Sequence, residues 1–409
     1  MKMMHLGVLV FLMAFQGYMG YAQESNSHAW PQFRGQSRDG VSTEKLSTTD
    51  WNQSPPKLVW KKEIGEGFSE LAVVDGVIYT MTSEKLDSIS GFEFVVAYDE
   101  NSGTELWRTQ VDSMYYDVDG WGCGARATPS IDEECVYCFS GKGTLSAVTR
   151  KKGKLLWQVN FGKTYGSTIP RWGYASSPLL LGETVIMEIG GTENKAFGAF
   201  SKKDGKLLWA SGQGNSSHDS PLLATIDGQQ QIIFANGATL YSYTSEGDTL
   251  WTFAMPFGGL TAIPLLVDKN KIFLSGVRTP SFCIVSVENN KATEFLTGPT
   301  MKNDFSSSCY YNGYIYGFHV AALRCISAET GEATWTKRGL GKGSLILVDN
   351  QLLVLSDQGK LVMVDTNPEV YTEHGSVDAL TGKSWTAPSF SNGKVFVRNL
   401  TEMACYQLN

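Results

Sequence analysis

Charge is scarce in this chain of 409 residues: only 18% are Asp, Glu, Lys or Arg, and the formal net charge is -7. Nucleic-acid binding needs a basic face, so that class of partner is excluded. Histidine is scarcer still, with five in the whole chain, and His28, His218, His319 and His374 lie far apart in sequence. A local zinc motif is therefore absent, and neither H-E-x-x-H nor G-x-S-x-G occurs. Gly339 to Ser344 is glycine-rich but lacks phosphate-loop spacing, and it precedes a strand pattern rather than a helix. The seven cysteines are an odd number, so at least one is unpaired or pairs between chains. Cys135 and Cys138 sit three apart in a strand-like run and would point to opposite faces, as small buried hydrophobes. What the chain does have is 43 glycines and 42% hydrophobic residues, which excludes a disordered or collagen-like chain.

No apolar run reaches the ~20 residues of a spanning helix, so no stable membrane span is expected. The first residues carry Lys2, an apolar stretch from Leu6 to Phe15, and small residues at Gly20 and Ala22. This reads as a signal peptide, residues 1-22, cleaved after Ala22; a membrane anchor is the alternative. The first cysteine is Cys123, so lipidation of an N-terminal cysteine is not expected. The expected address is periplasmic or extracellular.

An internal repeat organises the rest. VVAYDENSGTELW, LSAVTRKKGKLLW, FGAFSKKDGKLLW, LYSYTSEGDTLW and LRCISAETGEATW all end in G-x-x-x-W, at Trp107, Trp157, Trp209, Trp251 and Trp335. Phe295 ends a degenerate copy, LTGKSW ends at Trp385 with its glycine one residue closer, and PKLVW places Trp60 ahead of all of them. The eight markers lie 40 to 52 residues apart, close to the length of a propeller blade. Between markers, two apolar runs flank a short turn. Asp75-Gly76, Asn312-Gly313 and Asn392-Gly393 are strong hairpin signals, because both central residues of a type I′ turn need positive φ. Each unit is thus four strands. The last unit stops one strand short, while the front has one to spare. The expected fold is all-β: an eight-bladed β-propeller of four-stranded antiparallel blades, spanning 57-409 after an extension at 23-56, and closed by an N-terminal strand that completes the last blade. A linear stack is the alternative.

These repeats resemble the pyrroloquinoline-quinone-like (PQQ-like) repeat of eight-bladed propellers. WPQFRGQSRDGVS at 30-42 resembles the start of an exported bacterial subfamily. The resemblance implies that Trp60, Trp107, Trp157, Trp209, Trp251, Phe295, Trp335 and Trp385 dock neighbouring blades. It leaves activity open. Some members of this superfamily oxidise alcohols or sugars with PQQ and calcium, whereas others bind no cofactor and serve as docking platforms. The dehydrogenases typically stack the quinone on a disulfide of adjacent cysteines, which this chain lacks. Asn303-Asp304 imitates part of the calcium and base set, or is simply a turn.

The loops that return from each fourth strand to the next innermost strand must share one face of the ring. Two are long and aromatic, around MYYDVDGWGCG and NFGKTYGSTIPRWG. Trp121, Arg126, Arg171, Trp172, Tyr174, His218, Asp219, Asp304 and Lys342, with Glu70, are therefore candidates to converge at a funnel mouth. They either fill the channel with hydrogen bonds or bind a ligand. The expected function is a monomeric, exported binding or scaffold module for a protein or carbohydrate ligand. The alternatives are a quinoprotein dehydrogenase and a polysaccharide-active enzyme using the funnel residues.

Overall fold

The computed structural model describes residues 28–408; the expected signal peptide and its cleavage site lie outside the described residues. Eight blades of four antiparallel strands follow one another in chain order, and the seventh gains a fifth, parallel strand, Val41–Ser42, from the extension. The first runs from innermost Ala72–Val74 to outermost Glu105–Ser113. In the eighth, three strands come from the C-terminal end and the fourth is Lys57–Glu63, which pairs antiparallel with Glu402–Gln407. Leu58 lies opposite Tyr406 and Trp60 opposite Cys405, so contacts about 345 residues apart close the ring as expected, and no linear stack forms. Asp75-Gly76, Asn312-Gly313 and Asn392-Gly393 all have positive φ at both residues, as their hairpins require.

Alternation along each strand buries both faces of a blade. Cys135 and Tyr137 pack against Val185 and Met187 of the third blade, while Val136 and Cys138 pack against Tyr79, Val95 and Ala97 of the first. All seven cysteines are buried and unpaired; burial pushes the Cys283 and Cys405 thiols up to about 12 and keeps them protonated.

The tryptophan repeat has a physical cause. Trp107 Nε1 donates to the Arg150 carbonyl in the outer turn of the next blade (3.1 Å). Trp60 to Glu100 (2.8 Å), Trp157 to Lys202 (2.8 Å), Trp209 to Ser245 (2.8 Å) and Trp335 to Asn367 (2.9 Å) repeat the contact. The glycine of the motif belongs to that receiving turn. Gly153 has φ +64°, and a Cβ there would lie 2.4 Å from the Trp107 ring. The glycine thus serves the preceding blade's tryptophan as much as its own turn. Trp209 is only half-buried.

Three markers depart from this role. Trp251 is buried, but its N–H goes to Gln231 Oε1 of its own blade. Phe295 is exposed beneath Lys271 (3.9 Å), and the space at Gly331 is taken by Phe282 and Leu296. Trp385 is not on the outer wall at all. The seventh blade's outer strand is Glu373–Asp378, so Trp385 falls in the connection to the eighth blade.

A second girdle joins the blades near the axis. The amides of Glu70, Thr128 and Ser177 donate to the hydroxyls of Thr128, Ser177 and Ser220, each one blade further on (all 2.9 Å). Ile263 N donates to Ser307 Oγ (3.2 Å) in the same way.

Candidate functional site: a one-ended funnel

The extension before the propeller forms the floor of the central channel. Trp30 and Val73 exchange backbone hydrogen bonds of 2.8 Å, and Val41–Ser42 pairs parallel with the innermost strand of the seventh blade. Between these anchors, Arg34 and Arg38 cross the axis, each 1% exposed. Arg34 donates to the carbonyls of Leu345 and Ser308 (both 2.8 Å), and its amide to Glu70 Oε2 (2.8 Å). Arg38 donates to the carbonyls of Pro178 (2.8 Å) and Ser177 (3.0 Å). One short segment therefore ties blades one, three, six and seven together. Burial raises the Glu70 carboxyl to about 7, with Arg34 pulling it back, and lowers the Arg38 guanidinium to about 9. Glu44 accepts from the Asn392 and Gly393 amides in the eighth blade's hairpin turn (3.1 and 3.0 Å). The extension thus occupies the hairpin-turn end, and the loop end stays open.

A cavity of about 320 Å³ remains at that open end, with Phe33 and Arg34 as its floor and residues from all eight blades as its wall. The residues preceding each innermost strand line it, because every connection from an outer strand arrives on this face. Trp121, Arg126, Trp172, His218, Asp219, Asp304 and Lys342 are brought together there. Arg171 stands beside it, exposed, with Nε and Nη2 each 3.0 Å from the Asp119 carboxylate. Tyr174 is not part of it: the ring is buried between the second and third blades against Phe139 and Gly143. Asn303 is structural, donating to the Phe318 carbonyl (3.0 Å) and accepting from Ser308 (3.0 Å).

The wall has three chemical parts. The first is a group of rings. Trp385 lies 4.8 Å from Phe305, 5.6 Å from Trp121 and 6.1 Å from Phe68. Lys383 covers both tryptophans, at 4.6 and 5.2 Å from the ring centres. The second part is cationic. Arg126 sits over Tyr115 (4.7 Å) and Phe68 (5.4 Å) and donates to the carbonyls of Gly124 (2.6 Å) and Gly122 (2.9 Å), and it forms no ion pair among the described residues. Beside it, His218 contacts Trp172 (5.5 Å), and its Nε2 is buried without a hydrogen-bond partner. Burial first and Arg126 second lower its imidazole to about 4, so it is neutral at physiological pH. Lys342, by contrast, is neutralised by its ion pair with Asp304. The third part is Asp219, whose electrostatic neighbour Glu188 is buried and does not line the cavity. Ser217 donates its amide to Glu188 (2.8 Å) and its hydroxyl to Asp219, and the Ala235 amide reaches Asp219 at 3.2 Å. Burial raises both carboxyls, Asp219 to about 7.

Comparison with known proteins places the chain. The sequence profile described as outer membrane protein assembly factor BamB matches residues 91–305, more than half of the chain. The chain belongs to this family of PQQ-like propellers. Similar proteins include outer membrane protein assembly factor BamB of Yersinia pestis, 22% identical over 286 residues, 68% of this chain and 68% of that protein. The crystal structure of BamB from Moraxella catarrhalis superposes with a TM-score of 0.63 at 11% identity, over 86% of this chain and 97% of that one. Quinohemoprotein alcohol dehydrogenase from Comamonas testosteroni gives 0.65 at 12% identity, over 94% and 81%. At such identities the two structures share the fold with this chain.

The residues present do not fit a bound PQQ with calcium. There is no adjacent cysteine pair. The carboxylates that face the channel are already engaged, Asp304 by Lys342, Asp219 by Ser217 and Ala235, and Glu70 by the Arg34 amide. No cluster of three or more acidic, histidine or cysteine ligands occurs among the described residues.

Sequence reasoning missed Phe33, Arg34, Phe68, Phe305 and Lys383, and set Trp385 in the wall. The Ser/Thr-Pro pairs at 128-129, 177-178 and 220-221 mark the entry of three innermost strands. Reading two residues either side of that boundary in every unit would have found Phe68, Phe305 and Trp385.

Proposed function

We propose that this chain is an exported, non-catalytic binding propeller whose loop face receives a protein or carbohydrate ligand. We read residues 1–22 as its signal peptide, 23–56 as the extension, 57–409 as the propeller, and WPQFRG as the mark of an exported subfamily. Its site is the funnel mouth built from Trp121, Arg126, Trp172, His218, Asp219, Asp304 and Lys342. The observation that carries this reading is the asymmetry of the channel: one end is filled by Arg34 and Arg38, while the other presents half-exposed tryptophan faces and an arginine that forms no ion pair among the described residues. A channel serving only as packing would have no reason to leave rings and a cation open at one end. The relatives named as outer-membrane assembly factors agree with a scaffold role, and we extend to this chain a periplasmic address and a protein partner on that basis.

The test is an array of immobilised oligosaccharides and peptides probed with the purified protein and with a Trp121→Ala/Trp172→Ala variant. Retention lost in the variant supports the reading; retention unchanged overturns it. A dye-linked alcohol or sugar oxidation assay with added PQQ and calcium should stay at background.

A further inference from the structure

Resting on that reading, the geometry points to an acidic sugar, a pyranose ring bearing a carboxylate, as the ligand class of the funnel. The charge balance comes first. Of the cations at the mouth, Lys342 and Arg171 are paired with Asp304 and Asp119. Arg126 within the funnel and Lys383 at its rim have carbonyl and ring partners only. Both already satisfy part of their donor capacity, yet neither forms an ion pair among the described residues. Asp117 and Glu93 attract Arg126 through space, though burial outweighs them; Asp117 is held by the Trp121 and Gly122 amides and Glu93 by those of Tyr115 and Gly141. Asp219 and Glu70 are likewise buried and fixed by their own neighbours. An incoming carboxylate would accept charge-assisted hydrogen bonds from Arg126 in a partly dehydrated site, where they are strongest.

The shape comes second. The funnel is closed below by Phe33 and Arg34, so a chain cannot thread it. At about 320 Å³ it holds one or two sugar rings. The lining alternates flat rings with polar atoms that lack partners. Trp121 is 47% and Trp172 40% exposed, while Ser306 Oγ and His218 Nε2 are buried and unpaired. Both atoms are already unpaired in the free protein, so a hydroxyl that reaches them supplies a missing hydrogen bond, which an apolar side chain cannot do. A pyranose offers both an apolar face for the indoles and hydroxyls, each able to donate or accept, for the serine and for the unpaired Nε2 of the neutral imidazole.

Calorimetric titration with digalacturonate, its neutral dimethyl ester and an acidic hexapeptide tests the inference. Digalacturonate should bind about tenfold or more tightly than its ester, and Arg126→Gln should erase that preference. Lys383 is on the rim, so Lys383→Gln should keep the fold and weaken the acid severalfold, with a shallower salt dependence. Equal binding of acid and ester overturns carboxylate recognition but leaves the binding reading standing. Binding of the hexapeptide with no binding of either sugar overturns the sugar class. Failure of all three probes, with an array that is also blank, overturns both this inference and the binding reading.

Discussion

Trp157 and Trp385 end nearly the same local sequence, G-K-L-L-W and G-K-S-W, yet they occupy opposite regions of the molecule. Trp157 stands on the outer wall, its N–H on the Lys202 carbonyl of the next blade and its ring over Gly205. Trp385 lies in the funnel among Phe305, Trp121 and Phe68. One residue in the glycine-to-tryptophan spacing separates them. On a four-residue spacing, the glycine forms the turn and the tryptophan lies well inside the outer strand. On a three-residue spacing the segment does not pair as that strand and is carried into the connection at the loop face. The lesson is that copies of the repeat that pair as outer strands build the wall, while the copy at Trp385, which does not, supplies the site.

The largest effect should come from deleting residues 28–64. That removes the strand completing the eighth blade and the arginines holding the channel closed. The exposed edge of Glu402–Gln407 should promote aggregation and abolish a cooperative melt, read by light scattering and thermal unfolding. A soluble monomer with an unchanged melt would break the comparison, since neither wall nor floor would then depend on closure. Next, Trp60→Ala should cost about 3–4 kcal/mol in urea unfolding, because the ring is buried between the Gly103 turn and Phe396. Gly153→Ala should cost about 1–3 kcal/mol, from a Cβ driven into Trp107 and a left-handed φ; a neutral result would detach the motif glycine from the docking role.

A smaller effect concerns pH. Burial raises the Glu93 carboxyl to about 7, although it accepts from the Tyr115 and Gly141 amides (both 2.9 Å). Its folded value lies above its unfolded value, so the native state keeps a proton that the unfolded chain releases. Stability from this group is therefore full below about pH 4.5 and declines as pH rises toward 7. Glu93→Gln should flatten the fall of the urea midpoint between pH 4.5 and 7, and an unchanged slope would assign the fall to other groups. The smallest stability effect should be Trp385→Ala, about 1 kcal/mol, because the ring is half-buried at an open mouth. A loss as large as that of Trp60 would mean that mouth and wall are equally structural.

The wall was legible from sequence because its determinants are local and repeated. Type I′ turn pairs recur in several units, and alternating apolar runs and the glycine-tryptophan motif in most, so eight blades and the closing strand followed from them. The funnel was only partly legible. That the blade-to-blade loops share one face follows from topology, and it indicated Arg126, His218 and Asp304. Which side chain enters the cavity depends on rotations of one or two residues where no repeat constrains the backbone. Tyr174 turns into the space beside Phe139 and Gly143, whereas Ala175, the next residue, lines the cavity. Arg34 was invisible for another reason: its partners, Glu70, Ser308 and Leu345, are 36 to 311 residues away, and nothing local marks them.

The division of labour between wall and mouth is tested most directly by hydrogen exchange with and without the strongest-binding compound from the oligosaccharide and peptide array. Protection should rise in segments 117–126, 171–176 and 383–387, with the amides of Glu105–Ser113 and Leu155–Asn160 unchanged. Protection confined to those outer strands, with the loop segments unaffected, would contradict the account.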